Sequence, residues 1–300
     1  MNAPLPRALE PADTVEVARL RHRLALGLAW LDALTRAPAN GPWWAVLEKL
    51  GPYEIDRQFE PHGAARHALR HEGLLRKRFE LALAGGDARW SLRVFSAPPA
   101  APPRKPVYAT ALDPRLYVPR RLRLTPAVDG DAPAATPQNI RRPWLWPGSA
   151  YPLPGNATAV RGRVLRGPDL ASAKPIPWVR LVATVPAGVA VFADATPIGY
   201  AHGDDRGEFV LVLDNKAVSG ATLSNPVEVR LWPHLPPAAT QVDPADPLAS
   251  LPLEEGGTDG INDVLRGHAV PAGYTAGASK VLALRLGETA SGAGTTLLFA

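Results

Sequence analysis

Cysteine is absent from the 300-residue chain, which removes disulfides, thiolate metal sites and cysteine nucleophiles and leaves the redox compartment open. Long hydrophobic runs are missing too. The apolar stretch nearest the N-terminus, Leu24 to Leu31, is far shorter than the roughly 20 residues of a membrane-spanning helix. The opening segment, MNAPLPRALEPADTVEVARLRHRL, has acids and prolines where a secretory leader would have a basic patch and an apolar run. A soluble protein is expected, without a classical signal peptide or membrane insertion, in the cytoplasm or on a particle assembled there. There is no Gly-x-Ser-x-Gly elbow, and the glycine-rich GETASGAG segment (287–294) lacks the lysine of a phosphate-binding loop.

Proline, by contrast, is abundant. The 34 prolines are roughly twice the usual share, and 26 glycines accompany them. Helix interiors reject proline, so short strands with frequent turns fit better. Period-2 alternation agrees, in VARLRHRLALGLAWL, RWSLRVF, AVRGRVL, PWVRLVATV, GEFVLVL and KVLALRL. The most helix-like stretch, Ala64 to Ala84, fits short strands or a helical turn equally well. Trp30, Trp43, Trp44, Trp178 and Trp232 fall in strand patterns and read as core or sheet-face residues, and the C-terminal strand reads as completing its own sheet.

Charge is uneven. Residues 1–125 hold 20 basic against 12 acidic side chains, 126–158 two against two, and 159–300 hold 11 against 14. Only six of the 33 cations are lysine, and the arginines alternate with apolar residues, which predicts the solvent face of strands. With no recognition motif beside them, nucleic acid is not an expected partner.

Residues 126–158 contain seven prolines and little periodicity, and read as a stiff linker. The predicted organisation is an arm over 1–14, a β-sandwich over 15–125, the linker, and a second sandwich over 159–300 with a long loop at 233–263. The two sides resemble each other. Gly27 precedes Pro42-Trp43 by fifteen residues and Gly162 precedes Pro177-Trp178 by the same distance, while Phe79 to Leu83 parallels Phe209 to Leu213. Three blocks in one order suggest a duplicated module.

The block Val160 to Leu213 resembles the carboxypeptidase regulatory-like, or transthyretin-like, β-sandwich domain. The likeness lies in VRGRVL, KPIPWVRLVA and the turn GDDRGEF, with Asp205, Gly207 and Phe209 at the pattern positions. It departs from the pattern in a longer loop before the turn and in the segment that closes the block. The resemblance implies a mainly-β protein of two tandem Ig-like or transthyretin-like sandwiches, Phe209 in a core, Gly207 in a left-handed turn, and a non-catalytic accessory role. In overall style the chain also resembles accessory sandwich proteins of phage-tail-like contractile injection particles, at the baseplate or cap.

Asp204 and Asp205 lie in a hairpin turn, where aspartate commonly bonds its own backbone, so Asp204, Asp205 and Gly207 read as a structural turn. A calcium site would need several more oxygens than this turn offers. His67 and His71 are four apart, a metal-pair spacing on a helix, but on a strand about 13 Å apart and more consistent with a solvated basic face. The residues set apart for partner binding are Arg141, Arg142, Trp144, Trp146 and Tyr151, because Trp, Tyr and Arg dominate interface hot spots and a proline-stiffened segment loses little entropy on docking. No catalytic residue, metal or cofactor is expected. The function expected is a structural or adaptor subunit bound to other protein subunits, with self-association open. A glycan- or surface-binding module is the alternative if the tryptophans form an open platform. An enzyme would require Asp204, Asp205 and His202 to converge with His234 or His268.

Overall fold

A computed structural model describes residues 24–63, 65–97, 106–125, 139–214, 226–256 and 262–300. The predicted N-terminal arm (1–14) and the first part of the predicted linker (126–138) lie outside the described residues.

The first half comprises β1 (Leu24–Ala29), β2 (Leu31–Asp32), β3 (Trp43–Leu50), β4 (Tyr53–Gln58), β5 (Glu60–Pro61), β6 (Arg66–Arg70), helix α1 (Gly73–Ala84), β7 (Trp90–Ser96), β8 (Arg120–Leu124), β9 (Ile140–Arg141) and β10 (Trp144–Leu145). Alternation decides what each strand buries. Leu26 and Leu28 of β1, Ala45 and Leu47 of β3, Leu92 and Val94 of β7 and Leu122 of β8 join one core, while their odd-numbered or even-numbered neighbours face away. One sheet runs β5-β6-β1-β9 and the other contains β8-β7-β3-β4.

The second half comprises β11 (Ala159–Arg166), β12 (Lys174–Pro175), β13 (Arg180–Val185), β14 (Thr196–His202), β15 (Glu208–Val212), β16 (Val227–Leu235), β17 (Leu253–Gly256), helix α2 (Asp263–Arg266), β18 (Thr275–Ala276), β19 (Lys280–Leu284), β20 (Thr289–Ala290) and β21 (Leu297–Phe299). A second core gathers Val160, Val164, Leu181, Ala183, Phe209, Leu211, Val229 and Leu231. The protein is mainly β, as the alternation predicts.

The halves share one connectivity. β1 is antiparallel to β6 and parallel to β9, as β11 is antiparallel to β15 and parallel to β20 and β21. In the facing sheets β3 lies between β4 and β7 with β8 beyond, and β13 lies between β14 and β16 with β19 beyond. The C-terminal β21 therefore completes its own sheet.

The residue matches that suggested the repeat do not survive in detail. Leu26 and Leu28 point into the core, so Gly27 faces outward beside Ile140, whereas Gly162 faces inward beneath the Phe209 ring. Phe79 to Leu83 lies on helix α1, and the topological counterpart of β15 is β6. The stretch from Ala64 to Ala84 contains both a strand and a helix of 12 residues.

Two predicted connectors are built into the fold. Residues 139–158 are no free linker: β9 extends the first sheet in parallel with β1, and β10 pairs with β2. The predicted 233–263 loop begins on β16 and carries β17 back to the first half, where it lies parallel to β8 as the outermost strand of that sheet. A third apolar cluster then joins the halves, with Phe95, Tyr108, Val118, Trp178, Leu248 and Leu251 buried together and Trp44 and Val46 packed against them.

Candidate interaction site at the junction of the sandwiches

The GDDRGEF turn is held by its own backbone. An Asp204 carboxylate oxygen accepts the Arg206 and Glu208 amides, each at 2.9 Å, and Arg206 closes an ion pair with the other oxygen at 2.9 Å. Gly207 has φ +68°, and a Cβ there would sit 2.5 Å from the Val164 carbonyl oxygen, so glycine is required. Phe209 is fully buried.

The turn also reaches the other half. The Asp205 carboxylate accepts hydrogen bonds from Thr110 and, at 3.4 Å, from the Tyr108 hydroxyl, whose distance to the Asp113 carboxylate is 3.2 Å. Burial, reinforced by Asp205 and Asp204, pushes the Asp113 carboxyl up to about 6. Burial also raises Asp204 against the pull of Arg206. Among the described residues no group of three or more His, Cys, Asp or Glu side chains is arranged to hold a metal ion.

A second junction is ionic. Glu254 of β17 receives Arg120 Nη2 at 2.7 Å and Nε at 3.1 Å, and Arg180 Nη2 from β13 at 3.1 Å. All three side chains are at most 4% exposed. Arg120 also donates to the carbonyls of Trp144, Leu265 and Val264, tying β8, β10, β17 and α2 together. The expectation that arginines among apolar residues face solvent fails for Arg120, Arg141 and Arg180, all buried. Parity in RRLRL gave a signal for Arg120, which shares its face with Leu122 and Leu124. Glu254 gave none, because its partners come from distant strands.

Of the residues set apart for partner binding, only Arg142 is exposed. Arg141 is buried, with Nη2 on the Thr125 carbonyl at 3.3 Å. Tyr151 is buried and, with Tyr117, donates to Asp32 at 2.6 and 2.7 Å; burial raises that carboxyl, and the two hydroxyls together with the Thr35 and Leu34 amides hold it below its usual value. Trp146 is 4% exposed, donates to the Arg266 carbonyl at 2.8 Å, and stacks on the buried His202. Half-buried Trp144 is covered by the Arg36 guanidinium, 3.3 Å from its ring centroid. Trp43 and Trp44 donate to the Ala39 and Ala97 carbonyls. These tryptophans fill structure and form no open platform.

The histidines follow the same logic. His202 Nε2 donates to the Gly267 carbonyl at 2.7 Å, and burial beside Arg180 and Arg120 keeps the ring neutral. His268 stacks on Tyr200 at 3.9 Å, and burial lowers it to about 4. His234 pairs in register with Arg180, opposite His202 across β13. His67 is no solvated basic residue: it accepts from Trp30 Nε1 and meets the Trp43 carbonyl, both at 3.0 Å, in the core. His71 stands edge-on to Phe79.

Two open clefts remain around these residues. One, of about 490 Å³, is lined by Arg36, Trp146, Tyr200, Asp214 and His268. The other, of about 580 Å³, lies on the outer side of the β6-β1-β9 sheet and shares Arg36. Among the described residues no helix is long and apolar enough to cross a membrane.

No protein family and no curated protein sequence matches the chain. Among solved structures, a 9R-lipoxygenase from Cyanothece PCC8801 aligns at 12% identity over 57% of this chain and 17% of its own, with a TM-score of 0.22. The Bacillus anthracis TIE protein aligns at 8% identity over 91% of this chain and 33% of its own, with a TM-score of 0.22. GBS52, the minor pilin of Streptococcus agalactiae, aligns at 8% identity over 91% and 94%, with a TM-score of 0.19. The chain thus spans a minor part of the first two, and likenesses at these TM-scores carry no argument about function.

Proposed function

We propose that the protein is a non-catalytic structural or adaptor subunit: two sandwiches of the transthyretin-like kind fused into one rigid strut, built to join other proteins in a cytoplasmically assembled particle. The observation that carries this reading is Glu254, a buried carboxylate on a strand lent by one half to the sheet of the other and gripped by an arginine from each. A strut needs such a lock. The reading is supported further by the contacts of Asp204 in the turn, of Asp205 Oδ2 across the junction, of His202 Nε2 on the Gly267 carbonyl and of the His268 ring on Tyr200. The glycan alternative loses its main support, because Trp144 and Trp146 are covered. The finer assignment within this proposal is a baseplate or cap component of a phage-tail-like contractile injection particle.

The test is sedimentation of the native protein from a gentle lysate of its source cells, with mass spectrometry of the co-migrating fraction. Travel with a large particle containing sheath, tube or baseplate proteins is expected. Travel as a free monomer without companions overturns the assembly reading.

A further inference from the structure

The cleft on the outer side of the first sheet has a one-signed rim. Its charged and titratable lining side chains are Arg36, His62, Arg66, His67 and Arg142, and among the described residues no carboxylate lines it. His67 is spent in the core, which leaves three exposed guanidiniums and one exposed imidazole. Their placement follows from the fold. Residues pointing away from the core on β1 are Gly27 and Ala29, opposite Ala68 and Arg66 on β6 and Ile140 on β9. Small side chains make a low floor, and longer ones from three segments make the walls.

Arg36 adds a further observation. It is a non-glycine residue at φ +63°, its side chain lies 3.3 Å over the Trp144 ring and it donates to the Ala33 carbonyl. Left-handed backbone at a bulky residue is strained and persists where the surroundings impose it. The stacking fixes one guanidinium at the rim. No ion pair joins Arg66 or Arg142 to a described carboxylate, and Glu60 on the neighbouring β5 is taken by Arg70 at 2.8 Å.

We propose that this cleft is the docking site for an acidic, leucine-bearing segment of a partner protein. The inference rests on the adaptor reading and gives it a site and a partner chemistry. Carboxylates match the guanidiniums in charge and in their two-pronged geometry. The apolar walls of Leu24, Leu31, Pro38 and Ile140 favour a peptide with an aliphatic side chain between its acids over a nucleic-acid backbone. At about 580 Å³ the cleft is of a size to take one or two side chains.

The test uses the full chain and a fluorescein-labelled peptide of repeating Asp-Glu-Leu, read by fluorescence anisotropy at low and at moderate salt. The expected result is saturable binding, weakened by salt, that falls at least tenfold in R66E/R142E while the thermal midpoint of that variant stays within about 2 °C of the wild type. Absent binding, or binding indifferent to R66E/R142E, overturns the proposal. So does tighter binding of a single-stranded oligonucleotide of equal charge. A dimer of the wild type that dissociates in R66E/R142E would make a second copy the occupant, and a variant with Glu10 and Asp13 neutralised that alone binds peptide would make the chain's own arm the occupant; either overturns it. Lysate sedimentation separates the two levels. If the wild type travels with the particle and R66E/R142E does too, the adaptor reading stands and this site fails. If the wild type travels alone, the adaptor reading itself fails.

Discussion

Asp113 shows at the scale of one residue how a buried polar junction trades stability for position. Its carboxyl stands at about 6 because burial, and then Asp205 and Asp204, disfavour its charge, although the Arg115 amide and the Tyr108 hydroxyl favour it. The folded protein therefore binds this proton more tightly than the unfolded chain, whose carboxyl lies near 4. Stability from this group is fully present below the unfolded value and is lost as pH rises through about 6. Two units correspond to roughly 3 kcal/mol at most. Asp113→Asn keeps an oxygen for the Arg115 amide and carries no charge. It is expected to stabilise the protein by about 1–3 kcal/mol at pH 7.5, with the gain vanishing near pH 4, in urea titrations across that range. Equal stability of the two proteins at pH 7.5 would contradict this account. Gly207 supplies the opposite case. Gly207→Ala combines left-handed backbone with a Cβ in collision with the Val164 and Ile176 carbonyls, so a loss of about 2–4 kcal/mol is expected in the same assay.

At the scale of the element, β17 carries most of the argument. It is a four-residue strand at the edge of a sheet, too short to hold itself there by hydrogen bonds alone. Glu254 anchors it. Removing one partner of a buried, hydrogen-bonded ion pair costs about 3–5 kcal/mol, because the remaining charges are left desolvated and unpaired. Glu254→Ala leaves two buried guanidiniums in that state. Hydrogen exchange of this variant should show lost protection along β8, whose outer edge β17 covers, while β13 and β16 stay protected by their own neighbours. Unchanged exchange along β8 would mean that β17 is held by something other than Glu254.

The same element marks the limit of what sequence patterns convey. Alternation reports which face of a strand is buried, and it predicts the mainly-β fold. It does not report which strand lies next to which. The return of β17 to a sheet over 120 residues earlier depends on Arg120, Arg180 and Glu254 meeting, three charged residues that composition alone assigns to the surface. Helix α1 escaped because only Leu75 and Ala82 of its side chains are buried, too few for a strong 3.6-residue period. The partner-binding segment misled for a related reason. Its proline density is real, but β9 and β10 each need only two residues to enter a sheet.

At the scale of the whole molecule, two sandwiches joined by a free linker would unfold independently, whereas two that share a sheet, an ion network and an apolar cluster should not. The apolar cluster between the halves buries Trp178 together with Phe95, Leu248 and Leu251, and Trp178 Nε1 donates to the Ser250 hydroxyl at 2.8 Å. Loss of either half exposes this apolar surface and breaks the buried Arg120–Glu254–Arg180 network. Calorimetry of the wild type should therefore give one transition with equal calorimetric and van't Hoff enthalpies. Glu254→Ala weakens the coupling more than it weakens either core, so its trace should broaden or split, with a lower van't Hoff than calorimetric enthalpy. Two separate transitions in the wild type would show that the junction does not couple the halves, and with it the strut on which the adaptor reading depends would be lost.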